Sequence, residues 1–218
     1  MTKPEKCVVV LSGGPDSATV AYWAKNQAYE VYALSFKYGQ IAEKETESAQ
    51  TIADKLDISL KILDLTSLRD IFEGVTSLCD KNIEMTPSFS QPIIVPFRNA
   101  IFLSIAVAYA ISINAHRIFY GAQASDQPFY PDCRKAFYKS FERTARLGTN
   151  EDLTISTPFN EMEKSEVLRL GSKLGVPFEL TWSCYLSEPK HCGKCESCSN
   201  RKIAFKEAEI QDPTDYIE

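Results

Sequence analysis

The sequence has no apolar run long enough to span a bilayer, and Met1-Thr2-Lys3-Pro4 is not a charged-then-apolar leader, so the chain is expected to stay in the cytoplasm. It also lacks an excess of basic charge. Its 24 Lys and Arg stand against 29 Asp and Glu, a net charge of -5, which leaves no overall field to draw it to nucleic acid or anionic lipid. Neither of the two commoner phosphate loops occurs, Gly-x-x-x-x-Gly-Lys-Ser/Thr or Gly-x-Gly-x-x-Gly. No internal repeat, low-complexity tract or clear interdomain linker interrupts the chain. What is there is 218 residues, 44% of them hydrophobic, enough for one sizeable core or one domain with an appendage. In a reducing compartment its seven cysteines, where clustered, point to metal rather than to disulfides.

One stretch organises the rest. The apolar run Cys7-Val8-Val9-Val10-Leu11 leads into Ser12-Gly13-Gly14-Pro15-Asp16-Ser17 and then Ala18-Thr19-Val20-Ala21-Tyr22-Trp23, the pattern of strand, tight turn and helix. Two glycines remove the Cβ atoms that would hold a ligand off the backbone, and they allow positive φ, so successive N–H groups can line one concavity. The helix start adds unsatisfied N–H groups and the positive end of its dipole, and Ser12 and Ser17 add hydroxyls. A Gly-Gly pair alone would read as a plain strand-to-helix connection; the whole hexapeptide at the end of a buried strand favours phosphate. Pro15 removes one N–H, so the cradle has to be built from its neighbours. The hexapeptide resembles the pyrophosphate loop of the ATP pyrophosphatase superfamily, whose members activate an oxygen by AMP transfer. The resemblance implies an ATP-binding stretch of Leu11, Ser12, Gly13, Gly14, Asp16, Ser17, Ala18 and Thr19, with Asp16 and Ser17 catalytic and Asp16 assigned to Mg2+ or to fixing the loop.

Strand and helix patterns alternate beyond it. The first helix is expected to reach about Ala28, and strands to follow at Val31–Phe36, Leu60–Leu65, Ile118–Ala122 and Leu153–Ser156. An amphipathic helix is expected over Glu43–Leu56, and further helices from about Arg134 to Arg146 and over Lys164–Leu174, the last opened by an Asn160/Glu163 capping box. Arg98–Ile113 has almost no polar face and is expected to be buried, and Gly74–Gln91, with Pro87, reads as a long loop of the kind used as lids. The class is α/β, a doubly wound parallel sheet with a C-terminal zinc-binding segment: residues 1–180 form the nucleotide domain and 181–218 the segment packed on it. The ligand is expected outside the carboxyl ends of the strands.

Cys184, Cys192, Cys195 and Cys198 carry two overlapping C-x-x-C units, a spacing that suits one tetrahedral thiolate site. A structural zinc ion is the reading of choice, with His191 able to replace one thiolate and Lys190, Lys194 and Arg201 tempering the charge. An iron–sulfur cluster and a redox pair remain as alternatives. Cys7 and Cys79 read as packing residues.

Taken together, Ser12–Ser17, Tyr38-Gly39-Gln40, Val95-Pro96-Phe97-Arg98-Asn99, Tyr130-Pro131-Asp132-Cys133-Arg134, Thr157-Pro158, Lys164-Ser165-Glu166, Thr181-Trp182-Ser183-Cys184-Tyr185 and Cys192-Gly193-Lys194-Cys195 resemble the 7-cyano-7-deazaguanine synthase family, in family order over nearly the whole chain. Departures are Pro15, where Leu is expected, Lys37, where Asp is usual, and Ile41. The resemblance implies an ATP-dependent carbon–nitrogen ligase of queuosine and archaeosine biosynthesis, acting as a homodimer with no nucleic-acid or membrane partner. It joins 7-carboxy-7-deazaguanine and ammonia through adenylylated intermediates, with Mg2+ at the phosphates. It places Arg98, Asp126, Asp132 and Arg134 on the substrate and Phe97, Phe129 or Tyr130 on its ring, and lets Lys164 reach the phosphates. For Lys164 a solvated helix lysine is the equal alternative, and for the loop residues contact with water alone. A tRNA thiolase or amide-forming ligase of the same chemistry, and a non-catalytic nucleotide- and zinc-binding module, are the rival functions.

Overall fold

In the computed structural model, which describes residues 3–85, 88–89 and 91–217, β1 (Lys6–Val10), β2 (Glu30–Lys37), β3 (Ser59–Asp64), β4 (Arg117–Phe119) and β5 (Thr154–Ser156) pair in parallel in the order β3-β2-β1-β4-β5. Val8 lies opposite Tyr32 and Ile118, and Val9 opposite Ala33 and Phe119. Alternation along the strands then sends side chains into two separate cores. Val8, Leu34, Ile118 and Ile155 pack beneath α4 (Arg98–Ser112) and α5 (Lys135–Thr149). Cys7, Val9, Ala33 and Phe119 pack beneath α1 (Pro15–Asn26), α2 (Lys44–Leu56), α6 (Lys164–Leu174) and α7 (Glu196–Ala208). Helices therefore cover both faces, the doubly wound arrangement expected. Strand order runs outward from β1 to β3 and then reverses to β4, so the crevice at the carboxyl ends of β1 and β4 is the switch point where such sheets take ligands.

Three expectations are corrected. α4 buries only one face, through Ala100, Leu103, Ala106, Val107 and Ala110, while Ser104 and Ala108 are exposed and Ile101, Phe102, Ile105 and Tyr109 are half-buried. Its apolar composition exceeds what one sheet face can cover. The capping box of α6 is Glu163 with Glu166, not Asn160 with Glu163, because the chain turns helical three residues later than the pattern suggested. The stretch from Gly74 is a loop as expected, with no helix or strand among its described residues up to Phe89, but it is not lid-like: Thr76 to Asp80 is buried and tied down, with Ile41 N–H donating to Leu78 O at 2.8 Å, Ser77 N–H to Pro92 O at 2.8 Å and Gly74 N–H to Asp80 Oδ2 at 2.9 Å. Pro87, like Met1 and Thr2, lies outside the described residues. No helix among those residues is long and apolar enough to cross a membrane.

Candidate active site

The turn after β1 is built by close approach. Gly13 sits at φ +91°, and a Cβ there would lie 2.1 Å from the Glu45 carbonyl oxygen, so only glycine lets α2 press against the loop. Gly14, at the N-cap of α1, would place a Cβ at ordinary contact distances, so its bareness leaves room at the cavity rather than relieving a clash. Pro15 occupies the first helical position, where its fixed φ suits a helix start and an N–H would have no partner within the helix. Ser12 and Ser17 share a hydrogen bond at 3.0 Å between hydroxyls, and Ser12 N–H donates to Ser17 Oγ at 3.2 Å. Gly121, just past β4, packs so tightly on α1 that a Cβ would meet Ser17 N at 2.9 Å.

Around this turn lies a cavity of about 770 Å³. It gathers Leu11, Ser12, Gly14, Asp16 and Ser17 with Arg98, Asp126, Asp132, Arg134 and Lys164, residues from both halves of the sheet. Ala18 and Thr19 do not line it; both are fully buried in the second core, and the Thr19 hydroxyl donates to Pro15 O at 2.8 Å. Inside, Lys164 Nζ meets Asp16 Oδ2 at 3.1 Å. Burial works against the lysine charge, but Asp16 and then Asp126 outweigh it and its pKa is raised. Burial pushes the Asp126 carboxyl up to about 6, against the pull of Lys164. Lys164 is thus not a solvated surface lysine. Asp16 Oδ1 is buried without a hydrogen-bond partner, an unfilled acceptor that suits a divalent cation beside a phosphate.

The other end of the cavity is organised by Arg98, which donates to the Tyr38 hydroxyl at 2.9 Å. Burial opposes its charge, yet Tyr38 and Glu45 outweigh that and raise its pKa, so it remains a guanidinium. Asp132 caps α4 by accepting from Asn99 N–H at 3.1 Å, and Arg134, exposed at the rim, donates to Gln127 O at 2.8 Å. Phe97, which lines the cavity, holds a left-handed φ of +57° and is 65% exposed, and Phe129 and Tyr130 pack on Phe89. Buried Cys133 accepts from Asn99 Nδ2 at 3.5 Å, and burial drives its thiol pKa far up, which keeps it from acting as a thiolate.

Among the cavity residues that the sequence does not mark as site residues are Glu45, Tyr38, Trp182 and Tyr185. Glu45 falls among the charges opposite the apolar face of α2, where the pattern marks it only as solvated. The others carry no signal beyond their place in the quoted motifs.

The Sγ atoms of Cys184, Cys192, Cys195 and Cys198 all lie within 4.8 Å of one another, and Cys192 and Cys198 are 3.9 Å apart. A tetrahedral Zn–S shell requires about 3.8 Å, so the set fits a metal ion. Backbone N–H groups of Leu186 and Cys192 point at Cys184 Sγ, and those of Lys194 and Cys195 at Cys192 Sγ, as thiolates require. His191 stands outside the shell. Its Nε2 accepts from Ser183 N–H at 3.0 Å, its ring lies 4.1 Å from Trp182, and burial lowers its pKa to about 4. Lys190 pairs with Asp215 at 2.9 Å and Arg201 with Asp212 at 3.2 Å. Cys7 and Cys79 are packing residues; burial pushes their thiols up to about 12 and about 11.

Sheet order, loop and cavity together define a PP-loop type α/β protein. The fold is similar to those of the NH3-dependent NAD synthetase from Campylobacter jejuni (TM-score 0.55, 21% identity, 82% of this chain and 68% of that one) and the NMN synthetase from Francisella tularensis (TM-score 0.57, 20% identity, 95% and 79%). The family model described as "Queuosine biosynthesis protein QueC" matches residues 6–209. The chain is 42% identical over 214 residues to the 7-cyano-7-deazaguanine synthase of Caldicellulosiruptor bescii, covering 97% of each. It is 44% identical over 224 residues to that of Thermoplasma volcanium, covering 98% of this chain and 91% of the relative. This chain belongs to the QueC family of 7-cyano-7-deazaguanine synthases.

Proposed function

We propose that this chain is an ATP-dependent ligase that converts 7-carboxy-7-deazaguanine and ammonia to 7-cyano-7-deazaguanine. The observation that carries the reading is that one cavity joins the phosphate loop to Arg98, Asp126, Asp132 and Arg134. The substrate carboxylate, gripped by Arg98, attacks the α-phosphorus of ATP and pyrophosphate leaves toward Gly14, Ser12, Ser17 and Lys164. Ammonia displaces AMP from the acyl-adenylate to give the amide. A second adenylylation on the amide oxygen then lets AMP and a proton depart, leaving the nitrile. Asp16, through its unpartnered Oδ1, would hold Mg2+, which supplies charge neutralisation at the phosphates. Asp126 and Asp132 are suited to accept from the guanine-like N–H and amino groups. The four cysteines would hold one structural Zn2+.

The thiolase alternative needs a reactive cysteine at the cavity, and the strongly raised pKa of Cys133 disfavours it. The test is pyrophosphate release measured with each component omitted in turn. Release that requires both ammonium and 7-carboxy-7-deazaguanine, with the nitrile identified by mass, supports the reading. Release that requires tRNA instead would overturn it.

A further inference from the structure

Arg98 is a cation placed where a cation is costly. It opens α4, so its backbone stands at the positive end of that helix dipole, and its half-buried side chain lines the cavity. Among the described residues it enters no ion pair. Glu45 and Asp132 act on its charge without bonding to it, and Asp132 is engaged by Asn99 N–H at 3.1 Å. What holds the guanidinium is a neutral group. Its Nη1 donates to the Tyr38 hydroxyl at 2.9 Å, and its central carbon lies 5.6 Å from the centre of the Tyr38 ring.

Tyr38 is itself fixed on all sides. Only 4% of it is exposed, and its ring lies 5.4 Å from that of Phe102, which in turn stacks on Phe36 at 4.2 Å. Gln40 ties down the backbone, taking Tyr38 N–H at 2.8 Å on its side-chain oxygen and donating to Phe36 O at 3.1 Å. The chemistry of this anchor matters. A carboxylate there would orient Arg98 as well, but it would neutralise the guanidinium and repel an incoming anion. A hydroxyl fixes the planar fork and leaves the charge for the ligand, where an unanchored arginine would spread over many rotamers. We infer that Tyr38 is a positioning residue of the ligase reaction: its hydroxyl holds the Arg98 guanidinium at the carboxylate of 7-carboxy-7-deazaguanine, and so selects that compound over the same base without a carboxylate. This assignment rests on the ligase reading.

The experiment titrates 7-carboxy-7-deazaguanine and 7-deazaguanine, which lacks the carboxylate, by calorimetry into the wild type, Tyr38→Phe, Arg98→Lys and the double variant, with ATP binding and melting temperature measured on each. In Tyr38→Phe the affinity for 7-carboxy-7-deazaguanine is expected to fall about tenfold, the effect of one hydrogen bond to a charged group, while affinity for 7-deazaguanine and for ATP stays within about twofold. Beside Arg98→Lys, where no planar fork is left to hold, Tyr38→Phe should weaken binding by less than about twofold more. Should Arg98→Lys fail to fold, the ratio between the two bases in Tyr38→Phe decides alone. Equal loss of both bases, loss of ATP binding, undiminished binding of the carboxylated base, or an undiminished effect beside Arg98→Lys overturns the assignment, as does a wild type that binds the two bases alike. Failure of the wild type to bind 7-carboxy-7-deazaguanine at all overturns the ligase reading itself.

Discussion

The backbone N–H of Trp182 donates to the carbonyl of Gly13 at 2.9 Å, joining the segment that carries the four cysteines directly to the phosphate loop. Further bonds reinforce the link: Ser187 Oγ donates to Ile41 O at 2.6 Å and accepts from Glu43 N–H at 2.7 Å, just ahead of α2. The sulfur cluster therefore holds one wall of the cavity, where Trp182, Ser183, Tyr185 and Ser197 stand. Because metal binding by thiolates is coupled to folding, Cys195→Ser is expected to release the metal, lower the melting temperature and weaken ATP binding about tenfold. Metal analysis with calorimetric titration of ATP checks this; unchanged ATP affinity in a metal-free protein would break the link.

Lys164 and Asp16 form the charged pair at the loop. Asp16→Asn should lower pyrophosphate release by ~100- to 1000-fold, the cost of one preorganised electrostatic group, with the circular dichroism spectrum unchanged. Turnover near wild type would remove Asp16 from the chemistry.

Gly13→Ala forces a Cβ onto the Glu45 carbonyl at positive φ, so α2 must shift. Urea unfolding should show a loss of about 2–4 kcal/mol, larger than for Gly14→Ala, whose Cβ meets nothing closer than 3.6 Å. For Gly14→Ala the loss should instead appear in ATP binding.

Asp126 and Glu45 both have carboxyl groups raised in the fold, from 3.8 to about 6 and from 4.5 to about 7. In the range between those values the folded chain binds more protons than the unfolded one, so stability contributed by these groups is present at low pH and is lost as pH rises from about 4 to 7. Asp126→Asn, which cannot ionise, is expected to be more stable than wild type by about 3 kcal/mol at pH 8 and equal to it near pH 4. Thermal melts across that range decide the sign.

Cys133→Ser should keep nitrile formation within about threefold, since the thiol is buried, protonated and packed against Asn99. Loss of all activity would bring back the thiolate chemistry that the ligase scheme does without.

By itself the sequence determined the strand–turn–helix at Ser12 to Ser17, the alternation of parallel strands and helices, and the grouping of Cys184, Cys192, Cys195 and Cys198, because each follows from interactions between near neighbours in the chain: periodic burial, glycine geometry and the reach of C-x-x-C turns. Facing was a different matter. Lys164 meets Asp16 across 148 positions, Trp182 reaches Gly13 from beyond the last strand, and Glu45 turns from an apparently solvated helix charge into a cavity wall only once α4 and the Tyr38 turn pack beside it. Ala18 and Thr19 went the other way, from the phosphate motif into the core. Which side of an element meets a cavity is set by contacts between segments distant in sequence, and those are made only when the sheet has closed under both layers of helices.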